Sequence, residues 1–516
     1  VTQSFDLIIN GNIITLNNQQ PRVEAIGIKN HKITATGSLA AIDLGAAAST
    51  RVLDLKGMTI LPGFIDTHTH LIATGITRTG VDLSSVKSIG EALAEIGKKV
   101  KVTPPGKWIF AWKFNRLNVD DKRFPDIKEL DAISLKHPIF IQHYDTHFLM
   151  LNSVAFKLLG LSANTEGVVQ DKHGEYTGLI KDPASTNLWY KIIGLADQQE
   201  RLDALGTAIQ EALKVGITTI HTKENIQDAI LIRNNQDRFT ARLKTLIFFH
   251  PLREEDIDIV LDAGFSGQKT CLATYADGSI EGHTAALFEP YTDDPGTLGM
   301  LYYSNDEMFR FIKKAHQVGM QLSIHAESDR SIEQVLQSYE RVLEQYPRKN
   351  HRHRIEHLEL PTLSQVKRVS RLRIALAMQP IFITVCEGPN LDYYRLLLGN
   401  ERVKRAHIFR SILGEGILVA GGSDTPVTSI NPLAGIHACV NHPLKEQRIN
   451  VHEAIEMFTI NGAKIGFEED EKGSIEPGKL ADFVVLSDDP YRVPKENIGD
   501  IKVEMTIVDG QVVYTR

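Results

Sequence analysis

Hydrophobic and polar positions change rhythm twice along the chain. Over residues 5–59 short apolar runs are broken by turn residues. Asp6-Leu7-Ile8-Ile9 leads into Asn10-Gly11, a hairpin signal, and then into Ile13-Ile14-Thr15-Leu16. Further short strands are predicted over 25–28 and 32–35. The same style returns near the C-terminus, with strands predicted over 481–486 and 503–508, a turn at Asp509-Gly510, and a strand over 511–514. Neither end alone buries much apolar surface. The two are expected to pair into one small β-domain made of 1–58 and 475–516.

Between them, strands alternate with segments of helical periodicity, the pattern of a parallel sheet. Eight candidate strands cover 59–66, 216–221, 243–249, 269–275, 321–325, 354–357, 374–379 and 417–421, with helical stretches such as 305–318 between them. This predicts an α/β fold, a (β/α)8 TIM barrel over 59–75 and 206–474. The first gap, of roughly 150 residues, far exceeds a barrel crossover. It carries strand-like 108–112 and 138–143 and a helical 152–159, and is read as an inserted lid subdomain, 76–205, over the barrel mouth.

A length of 516 residues and a hydrophobic fraction of 42% suit a large barrel with a satellite domain. The net charge of −7 offers no basic face, so neither nucleic acid nor an anionic membrane is an expected partner. Apolar runs are too short and interrupted to read as membrane spans. The partner predicted is a small-molecule substrate, with a homodimer as an assembly the sequence leaves open. Cys271, Cys386 and Cys439 form neither a disulfide framework nor a zinc ribbon, which fits a reducing, cytoplasmic setting. The sequence opens Val1-Thr2-Gln3 without a charged-then-apolar leader.

The candidate chemistry sits at strand ends. His68 and His70 follow the apolar run Ile60-Leu61-Pro62-Gly63-Phe64-Ile65, and period-two alternation puts both on one face, with Cα atoms about 6.6 Å apart. A lone pair of this kind is weak evidence. His351-Arg352-His353 has the same spacing and reads as a solvated, basic approach to a strand. Position decides: His325 ends the fifth candidate strand, His357 the sixth, and Asp424 follows the eighth. Four strand ends then bring metal-competent groups to the C-terminal face of a barrel, where active sites of this fold lie.

This constellation, with Leu61-Pro62-Gly63-Phe64-Ile65-Asp66-Thr67-His68-Thr69-His70, resembles the amidohydrolase superfamily. Gly473-Ser474-Ile475-Glu476-Pro477-Gly478-Lys479-Leu480 looks like that superfamily's return into the small domain. It is no phosphate loop, because Leu480 stands where Ser or Thr would bind magnesium. Asp277-Gly278-Ser279-Ile280-Glu281-Gly282-His283-Thr284, followed by Glu289-Pro290-Tyr291, is similar to the YtcJ-like branch, as are His147 with Asn152-Ser153 and Gly174-Glu175-Tyr176-Thr177-Gly178. That branch includes N-substituted formamide deformylase and exoenzyme-regulatory proteins.

The resemblance implies a divalent metal, zinc by donor type with nickel, iron or manganese as alternatives, held by His68, His70, His325, His357 and Asp424. It implies Asp424 as catalytic base, and His357 as a second catalytic group that orients water or stabilises an oxyanion if only one ion is present. Many relatives carry a carboxylated Lys at the end of the fourth strand. Here Ala273 occupies the expected position, so one ion or two stays open. Lys269 lies about 13 Å back along the strand. Cys271 reads as a buried core thiol, and Lys223, after the second strand, is another basic candidate, read as a surface or loop residue. His283, His147, His143 and Trp112 are candidate substrate contacts, with Asp145 beside the lid histidines; Phe114 is placed in packing, and Asp182 and Glu224 are supporting carboxylates.

The implied activity is hydrolysis of a C–N, amide-type bond by a metal-activated water. Deamination of a cyclic amidine, lactone hydrolysis, or a metal-binding regulatory role with little catalysis are the alternatives.

Overall fold

The apolar run after Thr59 is divided by Gly63, and the two halves enter different sheets. Thr59–Pro62 pairs antiparallel with Phe483–Leu486 and parallel with part of Leu7–Ile14. Phe64–Thr69 begins the barrel. The first expected strand, 59–66, is therefore corrected to two strands. The crossing point has no room for a side chain, since a Cβ on Gly63 would lie 2.2 Å from Thr218 Oγ1.

The structure is a computed structural model describing residues 3–4, 6–42, 50–116, 118–143, 148–165, 167–181, 184–388 and 390–516. Val1–His70 with Ile209–Arg516 form one compact unit, and Leu71–Ala208 form a second.

In the first unit, both chain ends build a nine-stranded sheet. Alternating apolar positions, including Ile8, Ile13, Ile26, Ile60, Phe483, Val485 and Ile507, close its core. An eight-stranded parallel sheet follows: β1 Phe64–Thr69, β2 Ile217–Glu224, β3 Arg242–Phe248, β4 Cys271–Tyr275, β5 Gln321–Ser328, β6 Arg354–Leu360, β7 Ala375–Met378 and β8 Val419–Gly421. Each strand pairs with its neighbour in sequence order. The ring closes just past β8, where the Asp424 amide donates to the His68 carbonyl at 2.8 Å and the His70 amide to the Thr425 carbonyl at 2.9 Å. The expected barrel is present, with β5 and β6 each running three residues beyond their predicted ends.

The barrel and the nine-stranded sheet are joined by polar contacts as well. Arg242, opening β3, places its guanidinium against Asp482 at 2.6 Å and Asp509 at 2.6 Å.

The second unit contains a six-stranded sheet ordered Val168–Gln170, Tyr176–Lys181, Phe148–Leu151, Ile139–His143, Ile109–Phe114, Val81–Asp82. Leu83, Ile96, Ile109, Phe114, Leu130, Ile139 and Met150 are among its core side chains. Among the described residues no helix is long and apolar enough to cross a membrane.

Candidate active site

The C-terminal ends of β1, β5 and β6 and the turn after β8 bring His68, His70, His325, His357 and Asp424 together, all buried. His68 Nε2 is 3.1 Å and His70 Nε2 3.2 Å from Asp424 Oδ1. The rings of His68 and His357 stand 4.8 Å apart, and those of His325 and His357 4.4 Å apart. Donor atoms of His68, His357 and Asp424 fall within 4.8 Å of one another, as do those of His325, Glu327 and His357.

Backbone conformation makes this convergence possible. His357 and Leu358 have φ of 69° and 49°, in the left-handed region. That break in period-two alternation lets Glu356 and His357, adjacent in sequence, both serve the barrel interior. Asp424, with φ 56°, turns back from β8 towards His68. Asp66 steadies the same corner by accepting the Ser423 amide at 3.0 Å and the His68 amide at 3.2 Å.

Electrostatics separates the donors into two kinds. Burial pushes His325 down to about 3, helped by nearby Lys223. Burial and the neighbouring imidazoles His325 and His68 hold His357 far below the ordinary histidine value. Both are neutral near pH 7, the form that ligates metals. The buried His325 Nδ1 has no hydrogen-bond partner, its Nε2 meeting the Gly278 carbonyl at 3.0 Å, so the residues present fit a bound cation. Burial opposes ionisation of Asp424, but the His68 ring and hydrogen bonds from His68 and His70 keep it well below the usual carboxylate range. For His68, burial and Lys223 disfavour protonation, yet Asp424 and Glu356 outweigh them and raise it.

A charged layer that the sequence did not reveal lies beneath the histidines. Glu356 Oε2 is 2.6 Å from His68 Nδ1 and 3.7 Å from Lys223 Nζ. Its other oxygen meets Arg354 Nε at 2.7 Å and accepts from Ser323 Oγ at 2.7 Å. Burial works against the Glu356 carboxylate, and Arg354, Lys223 and His68 reverse it, holding it ionised. Gln379, just past β7, sets its amide 3.0 Å from His68 Nδ1. The signal was present in Arg354-Ile355-Glu356-His357: two charges alternate about an apolar residue, so both face the barrel interior.

Lys223 is corrected accordingly. It is no loop residue, because β2 runs on to Glu224 and carries Lys223 inward in phase with His221. His351 and His353 are likewise buried rather than solvated. His351 Nε2 meets the Leu372 carbonyl at 3.0 Å, and His353 Nε2 meets His316 Nδ1 at 2.8 Å.

Ala273 sits inside the barrel among Leu246, Cys271 and Phe248, with Cys271 a buried thiol. Lys269 is exposed and paired with Glu471 at 3.3 Å. Glu224 is buried and accepts from Thr222 Oγ1 at 2.7 Å. His283 is committed to Asp293 at 3.0 Å and to the Tyr291 ring. In the second unit, Trp112 stacks on Phe110 and meets Phe140 edge-on, His143 packs against Phe124 and Phe148, and Phe114 is in the core. Asp145, His147 and Asp182 lie outside the described residues.

The chain is similar to known proteins along nearly its whole length. The model of the amidohydrolase family matches residues 51–514. YtcJ of Bacillus subtilis (strain 168), a protein named for the amidohydrolases, is 29% identical over 98% of this chain and 98% of its own. N-substituted formamide deformylase of Arthrobacter pascens is 26% identical over 100% of this chain and 99% of its own. A crystal structure of an uncharacterized metal-dependent hydrolase from Pyrococcus horikoshii OT3 superposes with a TM-score of 0.81 at 25% identity, covering 95% of this chain and 99% of that one. This chain belongs to the amidohydrolase family, in its YtcJ-like branch.

Proposed function

We propose that the protein hydrolyses an amide-type C–N bond of a small molecule, with a divalent cation, zinc by donor type, held by His68, His70, His325, His357 and Asp424. The observation that carries this reading is the buried convergence of four imidazoles and one ionised carboxylate from four strand ends, with neutral His325 keeping an unpartnered Nδ1. A cation bound there supplies Lewis acidity and lowers the pKa of a bound water to about 7.

The chain's own groups divide the remaining work. Asp424 Oδ1, held ionised between His68 and His70, takes the proton of the attacking water and returns it to the leaving nitrogen. His357 is neutral and turned into the same space, where it orients the water or donates to the developing oxyanion. Glu356 fixes His68 through Nδ1, leaving Nε2 for the site. N-formyl and N-acyl amines are the first substrates to examine, given the name of the Arthrobacter relative.

The test is a panel of N-formyl and N-acyl amines incubated with zinc-loaded protein, measuring release of both acid and amine. Turnover of at least one member, lost in Asp424→Asn, is expected. Ammonia released without an organic amine or acid would point to deamination instead. A folded, metal-loaded protein that leaves the whole panel intact would refute the reading.

A further inference from the structure

The sixth strand carries charge past His357, ending with Glu359. Glu359 meets Glu387, which follows β7, and His407, in the segment before the helix Phe409–Gly414. Exposures are 1%, 0% and 0%. One donor atom from each lies within 4.8 Å of the other two. A tetrahedral ion with bonds of about 2.0–2.2 Å spaces its donors roughly 3.3–3.6 Å apart, near the 3.7 Å between His407 Nε2 and Glu359 Oε2.

The carboxylates of this group meet few compensating partners. His407 Nε2 is hydrogen-bonded to Glu387 Oε1 and stands 3.7 Å from Glu359 Oε2, so one imidazole edge faces two carboxylates. The Tyr394 hydroxyl donates to Glu359 Oε2. Glu359 Oε1 and Glu387 Oε2 are buried and have no hydrogen-bond partner. Among the described residues neither carboxylate pairs with a lysine or an arginine. A separate observation points into the same place: His357 Nδ1, on a side chain only 2% exposed and without a hydrogen-bond partner, lies 3.7 Å from Glu359 Oε1. Buried carboxylates left this way require a cation or shared protons.

We propose that Glu359, Glu387 and His407 form an additional divalent-metal site, distinct in its donors from His68, His357 and Asp424. One imidazole and two carboxylates make a donor set suited to zinc. The ion neutralises the carboxylates beside His357. It also ties β6, the segment after β7 and the His407 segment together, reinforcing the 2.9 Å bond from the His407 amide to the Glu359 carbonyl.

The experiment is anomalous diffraction at the zinc edge on full-length protein, loaded with zinc and dialysed to remove weakly held ion. Zinc per chain is measured on the same sample. The expected map has a peak among Glu359, Glu387 and His407, separate from density at His68 and Asp424. In His407→Ala the cluster peak disappears and the stoichiometry falls by one ion, while density at His68 and Asp424 remains. A wild-type map with no peak at the cluster overturns the proposal and assigns the carboxylates shared protons. So does an unchanged stoichiometry in His407→Ala. A peak at the cluster alone would support this site and refute the cation assigned under the proposed function, so the two readings fail separately. The wild-type map keeps the test decisive should His407→Ala not fold.

Discussion

His68 and Asp424 are joined twice: the Asp424 amide donates to the His68 carbonyl at 2.8 Å, and His68 Nε2 lies 3.1 Å from Asp424 Oδ1. The first contact closes the barrel between β8 and β1, and the second belongs to the site. The seam of the fold and the centre of its chemistry are therefore the same pair of residues. Replacing Asp424 by Asn keeps the backbone contact and removes the proton acceptor. Steady-state hydrolysis should fall by about 10²–10⁴-fold with an unchanged circular dichroism spectrum. Near-wild-type turnover would remove Asp424 from its role as base.

Gly422 lies under the same seam. A Cβ there would stand 2.7 Å from His68 Cβ and 2.8 Å from the His68 nitrogen. Gly422→Ala should cost about 1–3 kcal/mol in denaturant unfolding and lower hydrolysis, although Gly422 offers no donor side chain. Full activity would mean that the seam tolerates displacement of His68.

Glu356 is the buried anion on which His68, Arg354 and Lys223 converge. Glu356→Gln leaves two buried cations without their partner and releases the His68 tautomer. Zinc affinity measured by calorimetry should drop about 10–100-fold. Urea unfolding should register a loss of about 3–5 kcal/mol. Unaltered zinc binding would show that His68 needs no such support.

Removing the cation tests the donors directly. Treatment with a chelator should abolish hydrolysis and lower the melting temperature, and added zinc should restore both. At free zinc near a hundred times its Kd, the stabilisation regained is about 2.7 kcal/mol. A melting temperature indifferent to chelation would count against a built metal centre.

The histidines His316, His351 and His353 form a buried neutral group. Burial pushes all three down, His351 to about 4. Below the ordinary value of 6.5 the unfolded chain takes up protons that the folded chain refuses. The contribution of His351 is therefore complete above pH 6.5 and is lost as pH falls towards about 4. His351→Gln should flatten the acid limb of stability by up to about 1.4 kcal/mol per pH unit in that window. Identical slopes would remove His351 from the acid response.

Much of the architecture was legible because it rests on local periodicity. The strand over 354–357, helical spacing in 305–318 and the turn at Asp509-Gly510 are set by neighbours in the chain. Asn10-Gly11, in contrast, makes no hairpin, because Leu7–Ile14 runs through it as one strand with a register shift between Ile9 and Ile13. The expected metal-competent residues were legible for the same reason, since each lay at or just beyond a predicted strand end. Lys223, in a strand, and the pair His351 and His353, just before one, were misread because a charge or imidazole there carries no mark of whether its partner comes from another segment.

By itself, the sequence determined a barrel flanked by a composite sheet and carrying His68, His70, His325, His357 and Asp424. Those features follow from residue spacing and short-range backbone geometry. Only the tertiary structure decided that Glu356 is the ionised support of His68, that Lys223 faces inward, and that Glu359, Glu387 and His407 share one buried space. These depend on which strands become neighbours and on solvent exclusion, and solvent exclusion is what makes an unpartnered charge costly enough to organise a site.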